Sequence, residues 1–135
     1  MTVDFRDLRV WDEAMGLAEA VYEVTGGFPK DERYGLVSQM RRASVSVPSG
    51  IAEGNGRAGT KEYLHFLSMA RGSLAELQTQ LLLSHRLGFI TEEASNAILQ
   101  RLNSVSFLLQ SLRKALNAKM PRRTHSPFPI PSSRS

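Results

Sequence analysis

Glu62-Tyr-Leu-His65 has the Glu-x-x-His spacing with which helical bundles hold a pair of metal ions between carboxylates. Such a site needs a second Glu-x-x-His and two further carboxylates on facing helices. The other histidines, His85 and His125, have Leu82 and Arg122 at the required positions, so half of the site is missing. His65 is therefore read as a helix-surface or interface residue. Ser84 and His85 are neighbours, which on a helix turns them about 100° apart, and no third group completes a nucleophilic arrangement. Gly54-Asn-Gly-Arg-Ala-Gly59 has the composition of a phosphate-cradling loop, but it lacks the Gly-Lys-Ser/Thr ending and a preceding strand. The chain has no cysteine, which removes thiolate chemistry, disulfides and cysteine-bound metals. These residue types point away from an enzyme and call for no metal or other cofactor.

Charge is the next source of function. The net charge is +4, but four of the 17 basic residues lie in residues 118–135, where there is no acid, and the remaining 13 balance the 13 acids. A basic function must then come from that tail or from segregation of charge on the folded surface. Arg41, Arg42, Arg57, Lys61 and Arg71 are the candidates for a strip that meets phosphates. If the chain folds back near residue 57, Arg41 and Arg42 face Arg71–Ser73, and Gln39 and Arg42 lie within a helical turn of Glu76. The structural alternative pairs Arg42 with Glu76 inside the fold and leaves Glu53 to bond exposed amides of the bend. Of the two, the structural role is the favoured one for Arg42 and Glu76.

The elements that would position these residues are helices. The first is expected over about Asp7–Thr25, capped by Asp7, with Leu8, Trp11, Met15, Ala18, Tyr22 and Thr25 as its apolar stripe and Ala14 and Val21 widening it. Gly26-Gly27 stops it, and Pro29 suits the first turn of the next. The second runs over about Asp31–Glu53 on Leu36, Met40, Ala43, Val47 and Ile51, with a kink or short break expected at Ser44–Pro48. Ser44, Ser46 and Ser49 are placed to satisfy the carbonyls that Pro48 frees. In the bend that follows, Gly54, Gly56 and Gly59 would supply positive φ angles and Thr60 the next N-cap. The third helix runs from about Lys61 to Leu87 on the seam Tyr63, Leu67, Ala70, Leu74, Leu77 and Leu81, where Gly72 suggests close approach of a neighbouring backbone. Thr91 caps a fourth helix carried by Ala94, Ile98, Leu102, Val105, Leu109 and Leu112 to Leu116.

Four amphipathic helices with short connections predict an all-α, antiparallel up-down-up-down bundle over residues 1–117. Residues 118–135 read as a basic, Pro/Ser-rich flexible tail. Apolar surplus on the third and fourth helices, which Leu64, Phe66, Leu82, Phe107 and Leu108 broaden, suggests self-association. Met-Thr-Val-Asp-Phe-Arg-Asp has no apolar core of a signal peptide, and no apolar run approaches the roughly 20 residues of a membrane span, so a cytoplasmic location without membrane contact is expected.

Gln39-Met-Arg-Arg-Ala43, Ser46-Val-Pro-Ser-Gly-Ile-Ala-Glu-Gly-Asn-Gly-Arg57, Glu62-Tyr-Leu-His-Phe-Leu67, Ala70-Arg-Gly-Ser-Leu-Ala-Glu-Leu77 and Leu87-Gly-Phe-Ile90 closely resemble bacterial four-helix bundle proteins of the ribosomal-RNA intervening-sequence family. The opening Phe5-Arg-Asp-Leu-Arg-Val-Trp-Asp-Glu-Ala14 is similar as well, and the likeness covers about residues 5–116. Members usually carry asparagine before Ile-Ala-Glu-Gly, where this chain has Gly50. The resemblance implies a ring-shaped homopentamer. A related branch, the accessory variability determinant of diversity-generating retroelements, implies a reverse transcriptase and nucleic acid as partners. The expectation is thus a non-enzymatic oligomer that binds RNA or DNA through a basic surface. The alternative is a protein-binding adaptor without nucleic-acid contact, favoured if cations and acids are evenly mixed.

Overall fold

The computed structural model describes residues 3–120, and all regular structure among them is helical. Two single 3-10 turns, Phe5–Asp7 and Lys30–Glu32, precede the first two of four long helices: α1 (Arg9–Thr25), α2 (Leu36–Asn55), α3 (Thr60–Arg86) and α4 (Glu92–Lys119). Contacts join α1 to α2, α2 to α3, α3 to α4 and α4 to α1, so the four enclose one core in cyclic order. The tail expected over 118–135 begins inside α4, which continues to Lys119; residues 121–135 lie outside the described residues.

The helix starts differ from expectation for local reasons. Asp7 does not cap α1, because it is used in the 3-10 turn, and Leu8 stands at the cap position without a side-chain bond. Asp4 caps that turn instead: its carboxylate accepts from the Arg6 guanidinium and, second, from the Arg6 amide, which together hold its pKa down to about 2. Likewise α2 begins at Leu36 and not at Asp31. Residues 30–32 close a turn of their own, and Glu32 reaches forward so that its Oε1 accepts from the Leu36 amide at 3.1 Å. Thr91 caps α4 as expected, its hydroxyl accepting from the Ala94 amide at 3.1 Å.

Pro48 does not break α2, which runs unbroken from Leu36 to Asn55. Ser44 and Ser46 donate to the carbonyls of Arg41 and Arg42, both at 2.9 Å. Those carbonyls are not the one Pro48 frees, which is its fourth predecessor's, at Ser44. Burial holds the helix continuous past the lost hydrogen bond: Ser44, Val47, Pro48 and Ile51 all sit in the interior.

The core follows the expected seam on α3, where Leu67, Ala70, Leu74, Leu77 and Leu81 are buried. On α1 the phase is different. Ala18 and Thr25 of the expected stripe are buried, as are Ala14 and Val21 that widen it, but Val10 and Leu17 join them, whereas Met15 and Tyr22 stay 37% and 46% exposed and Trp11 is half-buried. Both stripes obey three- and four-residue steps, and α1 is apolar over so wide an arc that spacing alone does not choose between them. The compact Val/Ala/Leu stripe packs inward and the bulky aromatic one is left at the surface.

Gly72 meets nothing: a Cβ built there has no atom within 4 Å, so no backbone approaches it. Gly72→Ala is therefore expected to stabilise the protein by about 1 kcal/mol, the helix-interior cost of glycine. Urea denaturation would read this as a higher midpoint at unchanged slope.

Candidate functional site

The bend between α2 and α3 is built by close packing and not by left-handed backbone. Among the described residues only Gly88 is a glycine with positive φ, at 79°. Gly56 and Gly59 have φ of −82° and −120°, and Gly54 is still inside α2. Gly54 is needed because a Cβ there would lie 2.9 Å from both the Phe66 Cβ and the Tyr63 Cδ1 of α3. Thr60 does not cap α3; Gly59 holds that position, with no side-chain bond. Instead Asn55 ties the bend down: its Nδ2 donates to the Val3 carbonyl at 2.6 Å, and its Oδ1 accepts from the Tyr63 hydroxyl at 3.2 Å. Burial of that phenol raises its pKa above the ordinary value.

The five cations proposed for a phosphate-binding strip go to different places. Arg41 turns toward α1, where its Nε donates to Thr25 Oγ1 at 2.9 Å and its Nη2 to the Tyr22 carbonyl at 3.1 Å. Its guanidinium also covers the Tyr22 ring, 4.5 Å from the centroid. Arg57 donates to Glu53 Oε2 at 2.8 Å and lies 4.8 Å from the Phe66 centroid. Glu53 therefore binds a guanidinium where bend amides were expected. Arg42, Lys61 and Arg71 are exposed, without an ion-pair partner among the described residues. Arg71 stands about 100° around α3 from Ala70, which touches Gly50 of α2, so it lies off the α2-facing side. Two of the five are thus engaged within the fold, Arg41 on α1 and Arg57 on Glu53 and Phe66, and the other three are exposed.

Arg42 and Glu76 form no ion pair. The α2–α3 register explains why: Gln39 meets Gln80, Met40 meets Ser84, and Gly50 meets Phe66 and Ala70, in opposite order along the two helices. Side chains lean toward their helix N-terminus, away from the bend on α2 and toward it on α3. Each α2 residue therefore meets a residue two to ten positions further along α3 than a symmetric fold-back about residue 57 gives.

The misassigned stripe of α1 is what the sequence reading missed. Trp11, Met15, Ala18, Glu19 and Tyr22 form one wall of an open groove of about 590 Å³, and Val45, Pro48, Ser49 and Ala52 of α2 form the other. Its surface is overwhelmingly apolar, and the Arg41 guanidinium lies over the ring of Tyr22. The signal was present in the sequence as an apolar arc on α1 too wide for one core-facing stripe. By contrast, of the surplus residues expected to mark an association face, Leu82 and Phe107 are 45% and 71% exposed, whereas Leu64 and Leu108 pack against the core and Phe66 is half-buried.

Among the described residues no three His, Cys, Asp or Glu side chains gather as a metal site. His65 is exposed, its ring edge-on to Phe66 at 5.8 Å. No described helix is long and apolar enough to cross a membrane.

Comparison with known proteins agrees with this architecture. Among solved structures, the chain is similar to a Bacteroides thetaiotaomicron protein of unknown function from the S23 ribosomal protein family. The TM-score is 0.70 at 21% identity, over 78% of this chain and 98% of that one. At that identity the likeness is one of fold. No curated protein matches. The model of the 23S rRNA-intervening sequence protein family matches residues 6–111, almost the whole helical region from the first 3-10 turn into α4. The chain belongs to the 23S rRNA-intervening sequence protein family.

Proposed function

We propose that this protein is a non-enzymatic, self-associating helical bundle whose docking face is the groove between α1 and α2. The observation that carries the reading is the gathering of Trp11, Met15, Tyr22 and Val45 in one concavity on the outside of a completed core. Exposed aromatic and aliphatic groups in a pocket are the kind of surface that dominates protein–protein affinity. In this reading the helices run antiparallel, up-down-up-down, and copies close into a homopentameric ring in the cytoplasm, as the family resemblance implies. Sedimentation velocity over a wide concentration range tests it. A discrete oligomer that dissociates on dilution is expected, and a monomer at every concentration would overturn the reading.

A second reading keeps nucleic acid as a partner of the ring, RNA being favoured by the family's link to 23S rRNA. Arg42, Lys61 and Arg71 support it, being exposed and unpaired by acids among the described residues, with Arg122, Arg123 and Arg134 following in sequence. Ring assembly would multiply weak contacts into avidity. If three phosphates of a single strand are neutralised per chain, affinity should drop roughly 20-fold between about 50 and 200 mM salt. Titration of labelled single-stranded RNA at those salts measures this. A flat salt response leaves the groove as an adaptor surface for a protein, such as a reverse transcriptase.

A further inference from the structure

We propose that a second cleft, where the α1–α2 connection runs into α2, binds a nucleoside phosphate, with Tyr34 against the base and Lys30, Arg33 and Arg41 around the phosphate. The site is separate from the docking face, and it shares no cation with Arg42, Lys61 and Arg71.

The connection itself builds the cleft. Pro29 leads into the 3-10 turn Lys30–Glu32. Side chains three apart are eclipsed in such a turn, so Lys30 and Arg33 stand on one side of it, and both line the cleft. Phe28 lies beneath them, 7% exposed and braced against the Phe89 ring at 5.8 Å between centroids. Thr25 at the end of α1 and Arg41 of α2 complete the wall. The enclosed volume is about 510 Å³, within the roughly 300–1,000 Å³ of small-ligand sites.

Charge is segregated here as nowhere in the groove. Three cations line the cleft and no Asp or Glu does. The neighbouring Glu32 is taken up by the Leu36 amide. Arg41 is fixed in advance: its Nε donates to Thr25 Oγ1 at 2.9 Å, and that hydroxyl donates to the Val21 carbonyl at 2.7 Å. Its Nη2 serves the Tyr22 carbonyl in the last turn of α1, so Arg41 offsets the negative end of that helix. Lys30 and Arg33 have no such structural duty. Both are exposed, and neither forms an ion pair among the described residues. They are positive charge in surplus of what the fold uses.

Tyr34 decides what kind of anion fits. Its ring is 88% exposed at the cleft edge, with the Arg33 guanidinium 5.8 Å from its centroid. A bare anion leaves that ring unused. A base stacks on an aromatic face whatever its sequence, while guanidinium groups hold the attached phosphate. The same chemistry is offered by a free nucleotide and by one unit of a single strand.

Calorimetric titration of the full-length protein with AMP, adenosine and inorganic phosphate, at about 50 mM salt, tests the site. AMP should bind, with adenosine and phosphate each about tenfold weaker or worse, since each lacks one half of the contacts. Tyr34→Ala and Arg33→Gln should each weaken AMP about tenfold, the size of one stacking or one charge-assisted contact. Tyr34→Phe keeps the ring and should bind like the wild type. Both side chains are exposed, so unchanged melting curves will show that lost binding is not lost folding. Labelled oligoadenylate separates the two sources. A strand bound more tightly than AMP, through Arg33 and Tyr34, assigns the cleft to single-stranded nucleic acid, and AMP bound as tightly as the strand assigns it to a free nucleotide. Binding of neither probe would overturn the proposal, as would binding that survives Arg33→Gln and Tyr34→Ala. Strand binding lost only on Arg42→Gln/Arg71→Gln would remove this site and leave those cations as the nucleic-acid contact.

Discussion

Leu74→Asp is expected to leave the chain without a cooperative native state. Leu74 is 3% exposed in the α3 seam, with Leu67, Ala70, Leu77 and Leu81 in the same buried cluster. The substitution removes a buried aliphatic group, worth about 2–3 kcal/mol. It also demands either an unpaired carboxylate in an apolar interior or its protonation, at several kcal/mol more. A domain of this size has about 5–15 kcal/mol in total. Circular dichroism should show loss of the sigmoidal melt. A cooperative melt at near wild-type temperature would mean that the phase of α3 is wrong.

Gly54→Val is the second large effect, and it separates two accounts of the bend. In a positive-φ account all three glycines of the bend would be sensitive. In the structure only Gly54 is crowded, with a Cβ placed 2.9 Å from Phe66 and Tyr63 and 3.3 Å from the Tyr63 carbonyl. Relieving those contacts requires α2 and α3 to separate beside the bend. The overpacking cost is about 3 kcal/mol, or roughly 10 °C in Tm. Gly56→Ala, whose Cβ would sit 3.6 Å from the nearest atom, should change Tm by far less. Equal losses at both positions would refute the close-packing account.

The legible and illegible parts of this fold divide along physical lines. The α3 seam was readable because leucines and alanines at three- and four-residue steps define one narrow arc. On α1, Leu17 and Val21 compete with Trp11 and Tyr22 for the same periodicity, and the choice depends on what the other helices present. That is tertiary information. The position of the bend was readable from Gly54, Gly56 and Gly59, but not the role of each, since glycine serves close approach as well as left-handed backbone. Arg41 looked like a free cation because its partners lie 16 to 19 residues away and leave no local trace, whereas the partner of Arg57, Glu53, stands four residues before it at a spacing the sequence does show. The groove was hidden by the same ambiguity that misplaced the stripe of α1.

The most direct test of the docking-face account is light scattering coupled to size exclusion, on the wild-type chain and on Val45→Glu. Val45 lines the groove, is 42% exposed, and lies outside the buried cluster, so its substitution spares the core. The account predicts a wild-type oligomer, with a pentamer's mass if the family ring holds, and a folded monomer for Val45→Glu. A wild-type monomer, or a Val45→Glu variant of unchanged oligomeric mass, would contradict it.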